Sequence, residues 1–355
     1  MSEPSVTTRL ERLTRDHITS SGWLELFAAH TDARFYQHPD WLLAAGAHLL
    51  DSPLEVACVY HDETLVLVLP WQAHVKRHRF SAPMHDHLTL GDILIAPSLT
   101  PDQRTIALNQ ALALAGETQW DWQIGNLPNR SALVDMVDNQ AHWQRRESRQ
   151  SAWFDLQDKQ PPGSGKLRRN LKRLRMKLQE QGQIRSQWAS QADELPDALS
   201  HFLALEASGW KGEQGKATAI AANPGLRGFY EQLLNPQFGG LQPVIALLWL
   251  DDRCIAAQFA LQTEHCLSLL KIAYDETFGH FSPGSLLLQD TAEHAIDRKL
   301  TTLSLVTAPP WAERWHPLTE PVWHLTHYAN NPGGLALRTL DRLKQTAKAR
   351  LRPAA

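Results

Sequence analysis

The order of secondary structure predicted for residues 241–306 constrains the fold of this chain more than any other feature of its sequence. Three β-rich runs follow one another closely. They are Leu241–Leu250, Ile255–Leu261 and Leu267–Tyr274. The connections between them are too short for a parallel crossover, so the three strands are predicted to form an antiparallel meander. Ser282 and Pro283 then suit the start of a helix, and Leu303–Val306 is the next strand.

The length of the chain and one linker signal predict two domains. The chain has 355 residues, more than one ordinary core holds. The segment Lys159–Gly165 combines prolines, glycines and a serine, which is typical of a linker. We therefore expect one domain over residues 1–158, a second over 159–330 and a basic helix over 331–355. The strand and helix pattern is fainter in the first half, where Pro101–Ala115 is the main helix candidate.

Composition narrows the class of protein and its compartment. The formal net charge of −3 does not indicate a polyanionic partner for the molecule as a whole. The three cysteines form no C-x-x-C pair, and the apolar run Val244–Leu250 is too short to span a bilayer. These features predict a cytoplasmic protein without a disulfide framework.

Four stretches resemble, in order, the GNAT-like acyltransferases linked to cellulose and exopolysaccharide biosynthesis, which are relatives of the FemAB peptidyltransferases. The stretches are Lys166–Arg173, Glu206–Gly212 with Phe229 and Tyr230, Leu270–Glu276, and Phe281–Leu287. The resemblance implies an α/β (α+β) fold with two GNAT-like modules, each a mixed, mainly antiparallel sheet flanked by helices. It also implies an acyltransferase that uses an acyl-CoA, with acetyl-CoA as the expected co-substrate and no metal.

The residues at the start of the helix after the meander are the first candidates for donor binding. A helix N-terminus presents unpaired backbone N–H groups and a positive dipole end, which can bind a pyrophosphate. The candidates are Ser282, Pro283, Gly284 and Ser285. Arg169 and Arg173 lie on a basic helix upstream and could meet phosphate groups, an RNA backbone or an anionic membrane. The usual glycine-rich loop of the family is reduced here, and an ordinary helix cap is the alternative interpretation.

The candidate catalytic residues come from two further segments. Acyl transfer to an amine needs a base, and Glu206 is a candidate. Lys271, which is expected to share a strand face with Leu267 and Leu269, could bind an oxyanion or phosphate. Tyr274 and Asp275 are the alternative acid and base, and an ordinary strand end explains them equally well.

Four residues are candidates for substrate binding. Trp210 would share a helix face with Glu206, and Lys211 could contact an anionic group of donor or acceptor. Trp311 and Trp315 match the aromatic positions of a family element that follows the next strand. Ala312 stands where the family has a lysine, which puts substrate choice or even activity in question.

A group of histidines in the first half lacks a metal-ligand motif, so no metal site is predicted there. The group is His74, His78, His85 and His87.

Three functions remain open at this point. The first is acyl transfer from acyl-CoA to an envelope sugar, lipid or polysaccharide precursor. The second is Fem-like aminoacyl transfer from tRNA, with RNA on the basic helix. The third is a catalytically silent binding or scaffold protein. Nucleic acid other than tRNA is not expected as a partner, whereas a peripheral membrane contact is compatible with the basic helices.

Overall fold

The computed structural model describes residues 6–114, 119–138, 140, 142–208 and 218–351. The strands are β1 (Val6–Arg12), β2 (Glu55–His61), β3 (Thr64–His74), β4 (Arg79–Ser81), β5 (Leu94–Ile95), β6 (Asp121–Pro128), β7 (Trp143–Asp155), β8 (Ile184–Ala189), β9 (Gln242–Leu250), β10 (Arg253–Gln262), β11 (Cys266–Tyr274), β12 (Thr302–Ser304) and β13 (Leu318–Tyr328). The helices are α1 (Arg15–Ser21), α2 (Trp23–Ala28), α3 (Pro39–His48), α4 (Pro101–Ala113), α5 (Ala132–Val137), α6 (Gly165–Gln179), α7 (Leu195–Ser208), α8 (Pro224–Leu233), α9 (Pro283–Asp297) and α10 (Pro332–Leu351).

The chain divides into two compact units. The first unit contains Met1–His30, Leu50–Arg149 and Pro321–Ala355, and the second contains Thr31–Leu49 and Gln150–Glu320. This division differs from the sequence-based boundaries, because Thr31–Leu49 joins the second unit and the C-terminal helix joins the first.

The sheet of the first unit has the strand order β1-β2-β3-β4-β6-β13, with β5 paired to β3. Strands β1 to β4 pair antiparallel, and β6 runs parallel to β4. Helix α4 precedes β6 in the chain. The rings of Trp71, Phe80 and Trp122 contact one another at centroid distances of 4.3–4.8 Å and form part of the core.

The sheet of the second unit repeats this plan. Its order is β8-β9-β10-β11-β12, followed by the end of β7. Strands β9, β10 and β11 form the antiparallel meander that the sequence predicts, and β12 runs parallel to β11. The predicted helix at residues 283–298 is confirmed as α9, which connects the two parallel strands.

Two helices cover one face of the second sheet because their apolar stripes match its inward side chains. Leu171 and Leu178 of α6 are buried in the same cluster as Leu286 of α9 and Leu248 of β9. The opposite face carries Phe259, whose ring lies 6.2 Å from Phe202 of α7. Each helix therefore buries one stripe, as the leucine spacing in α6 predicts.

Residues 31–49 belong to the second unit because specific polar contacts hold them there. The buried His38 ring donates from Nε2 to the carbonyl oxygen of Gly239 at 2.9 Å. The Asp40 carboxylate accepts from the backbone N–H groups of Gln237 and Phe238, each at 3.0 Å. The Trp41 ring contacts Phe229 at 5.0 Å between centroids. These contacts are nonlocal, which explains why a boundary placed on linker composition missed them.

The predicted α/β (α+β) class is confirmed. Each unit holds a mixed, mainly antiparallel sheet flanked by helices, and each has one parallel pair next to the helix that connects it. In the part of the chain that the structure describes, no helix combines the length and the apolar character needed to cross a membrane.

Candidate functional site

A cavity of about 210 Å³ opens at the N-terminus of α9 in the second unit. Its lining residues are Ile272, Tyr274, Gly279, Ser282, Pro283, Gly284, Ser285, Trp311 and Arg314. The structure therefore brings together the four predicted donor-binding residues of the helix start with Tyr274 and Trp311. Apolar and aromatic side chains line part of the cavity, and the N-terminal turn of α9 lines the rest.

The first turn of α9 leaves a backbone donor exposed to this cavity. Ser282 occupies the N-cap position with φ of 55°, and its side chain makes no capping hydrogen bond. Its carbonyl oxygen accepts from Ser285 and Leu286 at 2.9 and 3.1 Å. Pro283 has no N–H group, and the Gly284 N–H has no acceptor among the residues that the structure describes. The uncapped turn and the helix dipole together favour an anion.

Arg314 adds a cation that the sequence analysis did not select. Its guanidinium donates a hydrogen bond to Ser285 Oγ, so it is held beside the first turn of α9. Arg314 lies in a short 3-10 helix, Pro310–Trp315, that follows β12. Since the two residues are 29 positions apart in sequence, local spacing could not have paired them.

The cavity lies beside an open half of β11. Strand β11 pairs with β12 only over Cys266–Ser268, whereas it pairs with β10 as far as Tyr274. After β12 the chain leaves β11, and the Leu305 N–H donates instead to Ala152 in β7 at 2.8 Å. Val306 has φ of 64°, and the Thr307 N–H returns to the Leu305 carbonyl at 2.6 Å. This tight turn is strained for a β-branched residue and turns the chain away from β11.

A bulge in β11 corrects the predicted orientation of Lys271. Leu269 pairs with Ala260 and Lys271 pairs with Phe259, so Leu270 is an extra residue. One inserted residue shifts the alternation of side chains, which places Lys271 on the face of Phe259 rather than on the face of Leu267 and Leu269. Lys271 thus lies on the sheet face opposite to the one formed by α6 and α9.

Glu206 lies on the same side of the sheet as Lys271. It is buried in α7, one helical turn after Phe202, which contacts Phe259. Its carboxylate accepts from the Ile220 N–H at 2.9 Å. Burial, followed by the nearby negative charge of Glu206, raises the pKa of Tyr230 well above its ordinary value. A carboxylate held among buried aromatic side chains is compatible with the predicted role of a base.

The contacts of Asp275 indicate a structural role and argue against the predicted role as a catalytic base. Its carboxylate accepts from the Thr277 N–H at 3.0 Å and the Thr277 hydroxyl at 2.6 Å, and it pairs with Arg253 at 2.5 Å. Burial alone would raise the pKa of Asp275, but these hydrogen bonds and the Arg253 charge outweigh it, and the pKa lies below its ordinary value. A carboxylate so occupied is a poor proton acceptor.

The two tryptophans of the 3-10 helix have different environments. Trp311 is 41% exposed and lines the cavity. Trp315 is 1% exposed and packs in the core, with its ring 6.3 Å from Phe154. The prediction that Trp315 binds substrate is therefore corrected, because its side chain is buried in the core. Ala312, at the position of the missing lysine, is also buried.

The remaining candidates lie away from the cavity or outside the described residues. Arg169 and Arg173 are exposed on α6, do not line the cavity, and Arg173 donates to Asn170 at 2.9 Å. Trp210 and Lys211 fall in 209–217, which lies outside the described residues.

The histidines of the first unit are held by ordinary contacts. His74 is hydrogen-bonded to Ser81 Oγ at 2.8 Å, His78 stacks on Trp120, and His85 accepts from the His87 N–H at 3.1 Å. Within the described residues, no group of three or more His, Cys, Asp or Glu side chains has an arrangement that could hold a metal ion.

Comparisons with known proteins give one family match, which covers the segment that contains this cavity. Residues 165–315, which contain α6, the meander, α9 and the cavity, match the family described as acetyltransferase (GNAT) domain. No curated protein matches the chain significantly. The second unit therefore contains a segment that is similar to GNAT acetyltransferase domains, and this similarity supports the predicted acyltransferase class.

Solved structures with similar folds cover most of this chain, including residues of both units. FemX shares 11% identity with a TM-score of 0.63, covering 94% of this chain and 99% of that chain. L-PGS from Bacillus licheniformis shares 12% identity with a TM-score of 0.58, covering 94% and 98%. The C-terminal domain of a putative lysylphosphatidylglycerol synthetase from Agrobacterium fabrum shares 13% identity with a TM-score of 0.50, covering 78% and 85%. At such identities the likeness shows the fold alone.

Proposed function

We propose that the protein transfers an acyl group from acyl-CoA, with acetyl-CoA as the first donor to test, to an amine or hydroxyl of an envelope or polysaccharide-related acceptor. The observation that carries the proposal is the cavity at the start of α9. There an uncapped helix turn, Gly284 and the Arg314 guanidinium meet beside the open half of β11. The resemblance of the second unit to the exopolysaccharide-associated group supports the acceptor class.

The residues of this cavity fit the charged part of coenzyme A. The space beside Gly284 lets a ligand approach the backbone, since the nearest atom to an added Cβ would be Cδ1 of Tyr274, at 3.6 Å. Arg314 and the Gly284 N–H would hold the pyrophosphate, and the Ser282 hydroxyl is a further donor. Ile272 and the exposed rings of Tyr274 and Trp311 offer an apolar wall to the rest of the donor. A coenzyme A thioester supplies an activated acyl group with a good leaving group.

On the other face of the sheet, Glu206 is our candidate for the general base. An attacking amine must lose a proton, and a positioned carboxylate contributes about 10²- to 10⁴-fold to such a step. Lys271 is a candidate for stabilising negative charge on the same face. We propose Arg169 and Arg173 as an outer electrostatic surface for anionic groups, because both side chains are exposed on α6.

Calorimetric titration with acetyl-CoA tests donor binding. We expect saturable binding by the wild-type protein and its loss in Gly284→Trp, where the indole would fill the cavity. The matched control is Gly165→Trp, because an added Cβ at Gly165 meets nothing within 4 Å. Folded wild-type protein that binds neither acetyl-CoA nor coenzyme A would overturn the proposal and leave the tRNA-dependent and scaffold functions.

A kinetic measurement tests the base. With an acceptor selected from a panel of amino sugars, Glu206→Gln should lower kcat by about 10²-fold or more, because the amide cannot take the proton. The Kd for acetyl-CoA should stay unchanged, since Glu206 does not line the cavity. Unchanged kcat in a folded Glu206→Gln protein would remove Glu206 from the mechanism.

Aminoacyl transfer from tRNA is a second candidate, and one observation favours it. Among the described residues, five exposed cations of α6 have no carboxylate partner. They are Lys166, Arg169, Lys172, Arg173 and Lys177. Such a row can bind an RNA backbone, with an affinity that falls steeply with salt. Salt-dependent binding of tRNA together with no binding of acetyl-CoA would favour this function over the first.

A further inference from the structure

Helix α10 of the first unit has two contrasting faces. On its inner face the Asp341 carboxylate accepts a hydrogen bond from the Tyr328 hydroxyl at 2.9 Å. On its outer face Leu340 and Leu343 are 52% and 63% exposed, and Leu335 at the start of the helix is 48% exposed. Two residues along a helix turn the side chain by about 200°, so Leu343 points almost directly away from the side that holds Asp341. The helix therefore presents a large apolar surface to its surroundings.

Cations flank these leucines. Arg342 and Lys344, on either side of Leu343 in sequence, are both exposed. The sequence of α10 contains five Lys and Arg residues and a single acid, Asp341, so cations outnumber acids in this helix. The Asp341 carboxylate contacts the Tyr328 hydroxyl and, at 3.8 Å, the Lys344 ammonium group. Apolar side chains bordered by basic ones on an outward helix face are characteristic of helices that lie in the plane of a membrane interface.

We propose that α10 binds the surface of an anionic phospholipid membrane. Leu340 and Leu343 would enter the boundary between head groups and acyl chains, while Arg342 and Lys344 would contact lipid phosphates. Each cation is attracted to an anionic leaflet, and burial of the leucine side chains adds to this attraction. From Leu335 to Leu343 the exposed leucines extend over about 12 Å of the helix, a contact that would hold an acyltransferase near a lipid-borne acceptor.

The cations of α10 favour an anionic membrane over a second copy of the chain or an RNA backbone as the partner of this helix face. A second copy docked on the same face would bring Arg342 and Lys344 against their own counterparts, and like charges in contact oppose association. An RNA backbone would pair with the cations but would leave the leucines exposed. Only an anionic surface with an apolar interior uses both features.

Vesicle co-sedimentation of the full-length chain tests the proposal. We expect the protein to sediment with phosphatidylcholine vesicles that contain about 30% phosphatidylglycerol, and to remain in solution with pure phosphatidylcholine. The double variant Leu340→Ser/Leu343→Ser should reduce partitioning by roughly tenfold or more, because both apolar side chains are lost. Both positions are exposed, so the thermal unfolding temperature should not change.

The control variant is Met176→Ser on α6. Met176 is 56% exposed among basic residues, but it lies outside α10, so this variant should bind vesicles like the wild type. Equal partitioning of the wild type and the double leucine variant would overturn the proposal, as would loss of binding in Met176→Ser. A wild-type dimer that the leucine substitutions dissociate in analytical ultracentrifugation would assign the face to a second copy instead. Neither result depends on whether acetyl-CoA is bound, so this test is independent of the proposed activity.

Discussion

The helices that follow the two meanders start with similar residues and differ in their first turns. In the first unit, Thr100 and Pro101 precede Asp102 and Gln103, and in the second unit Ser282 and Pro283 precede Gly284 and Ser285. Thr100 and Gln103 form a reciprocal capping box, with hydrogen bonds of 3.3 and 2.9 Å. Asp102 adds a negative charge to the same turn. The start of α4 is thus satisfied by its own side chains.

The start of α9 has neither the side-chain cap nor the acid, and it has a cation beside it. Ser282 does not cap, Gly284 has no side chain where α4 has Asp102, and Arg314 brings a positive charge to the turn. The arginine near the start of α4, Arg104, donates instead to the carbonyl oxygens of Leu99 and Pro97. The first turn of α4 is therefore capped by its own side chains, whereas the first turn of α9 is uncapped and suited to an anion. The difference argues that the donor binds in the second unit.

Transplanting the acid of α4 into α9 is the strongest way to break this comparison. Gly284→Asp places a carboxylate at the second helical position, as Asp102 is placed in α4. We expect the affinity for acetyl-CoA to fall at least about 100-fold, because the carboxylate repels the phosphates and occupies the exposed N–H. Calorimetry measures the loss. Gly284→Ala is the control, since its Cβ would only make ordinary contact with Tyr274 at 3.6 Å.

Removing the arginine beside each helix start, Arg314 for α9 and Arg104 for α4, is a second test of the comparison. Arg314→Ala should weaken acetyl-CoA binding about tenfold, since a charge-assisted hydrogen bond contributes about 1.5–3 kcal/mol and this side chain is exposed and screened. Arg104→Ala should leave the Kd unchanged. The wild-type affinity should also fall with added salt, whereas that of Arg314→Ala should respond less. Equal effects of the two substitutions would contradict the assignment of the donor to the second unit.

Much of the fold could be predicted from the sequence because the signals are local. The meander follows from short polar connections between β-rich runs, α6 follows from its leucine spacing, and the start of α9 follows from Ser282 and Pro283. The candidate donor-binding residues of that turn lie together in the structure for the same reason: they are consecutive in the chain.

The remaining features depend on contacts that sequence spacing does not encode. The extra residue Leu270 inverts the face of Lys271, and no pattern marks a bulge in an apolar strand. Arg314 reaches Ser285 only after the chain has formed β12 and turned sharply at Val306. Trp311 and Trp315 both look like binding residues, but the 3-10 helix exposes one and buries the other. His38 and Asp40 form hydrogen bonds with residues that lie about 200 positions further along the sequence.

Substitutions at the caps sharpen the comparison through stability. Thr100→Ala should lower the free energy of unfolding by about 1 kcal/mol, because it removes the capping hydrogen bond to Gln103. Ser282→Ala should change it by less than about 0.5 kcal/mol, since the serine side chain does not cap. Ser282→Gly should stabilise by up to about 1 kcal/mol by relieving the left-handed conformation at φ of 55°. Urea denaturation of each variant provides the values, and a cost at Ser282→Ala equal to that at Thr100→Ala would show that both turns are capped.

The acid of the second unit gives the smallest effect. Asp275 lies ahead of α9, where Thr277 and Arg253 hold it, rather than in the first turn as Asp102 does. Because the pKa of Asp275 is lowered in the folded state, its charge stabilises the fold above the ordinary carboxyl pKa, and this contribution is lost as pH falls toward the folded-state pKa. Arg253 is largely exposed, which limits the contribution to about 0.5 kcal/mol. Asp275→Asn, which keeps the acceptor for Thr277, should therefore be less stable than wild type at neutral pH, and this deficit should disappear as pH falls through the lowered folded-state pKa of Asp275. Arg253→Gln should cost the same amount in the wild type and nothing in the Asp275→Asn background. A deficit that persists in acid would mean that the amide disturbs the turn itself, and that the carboxylate matters for its geometry rather than its charge.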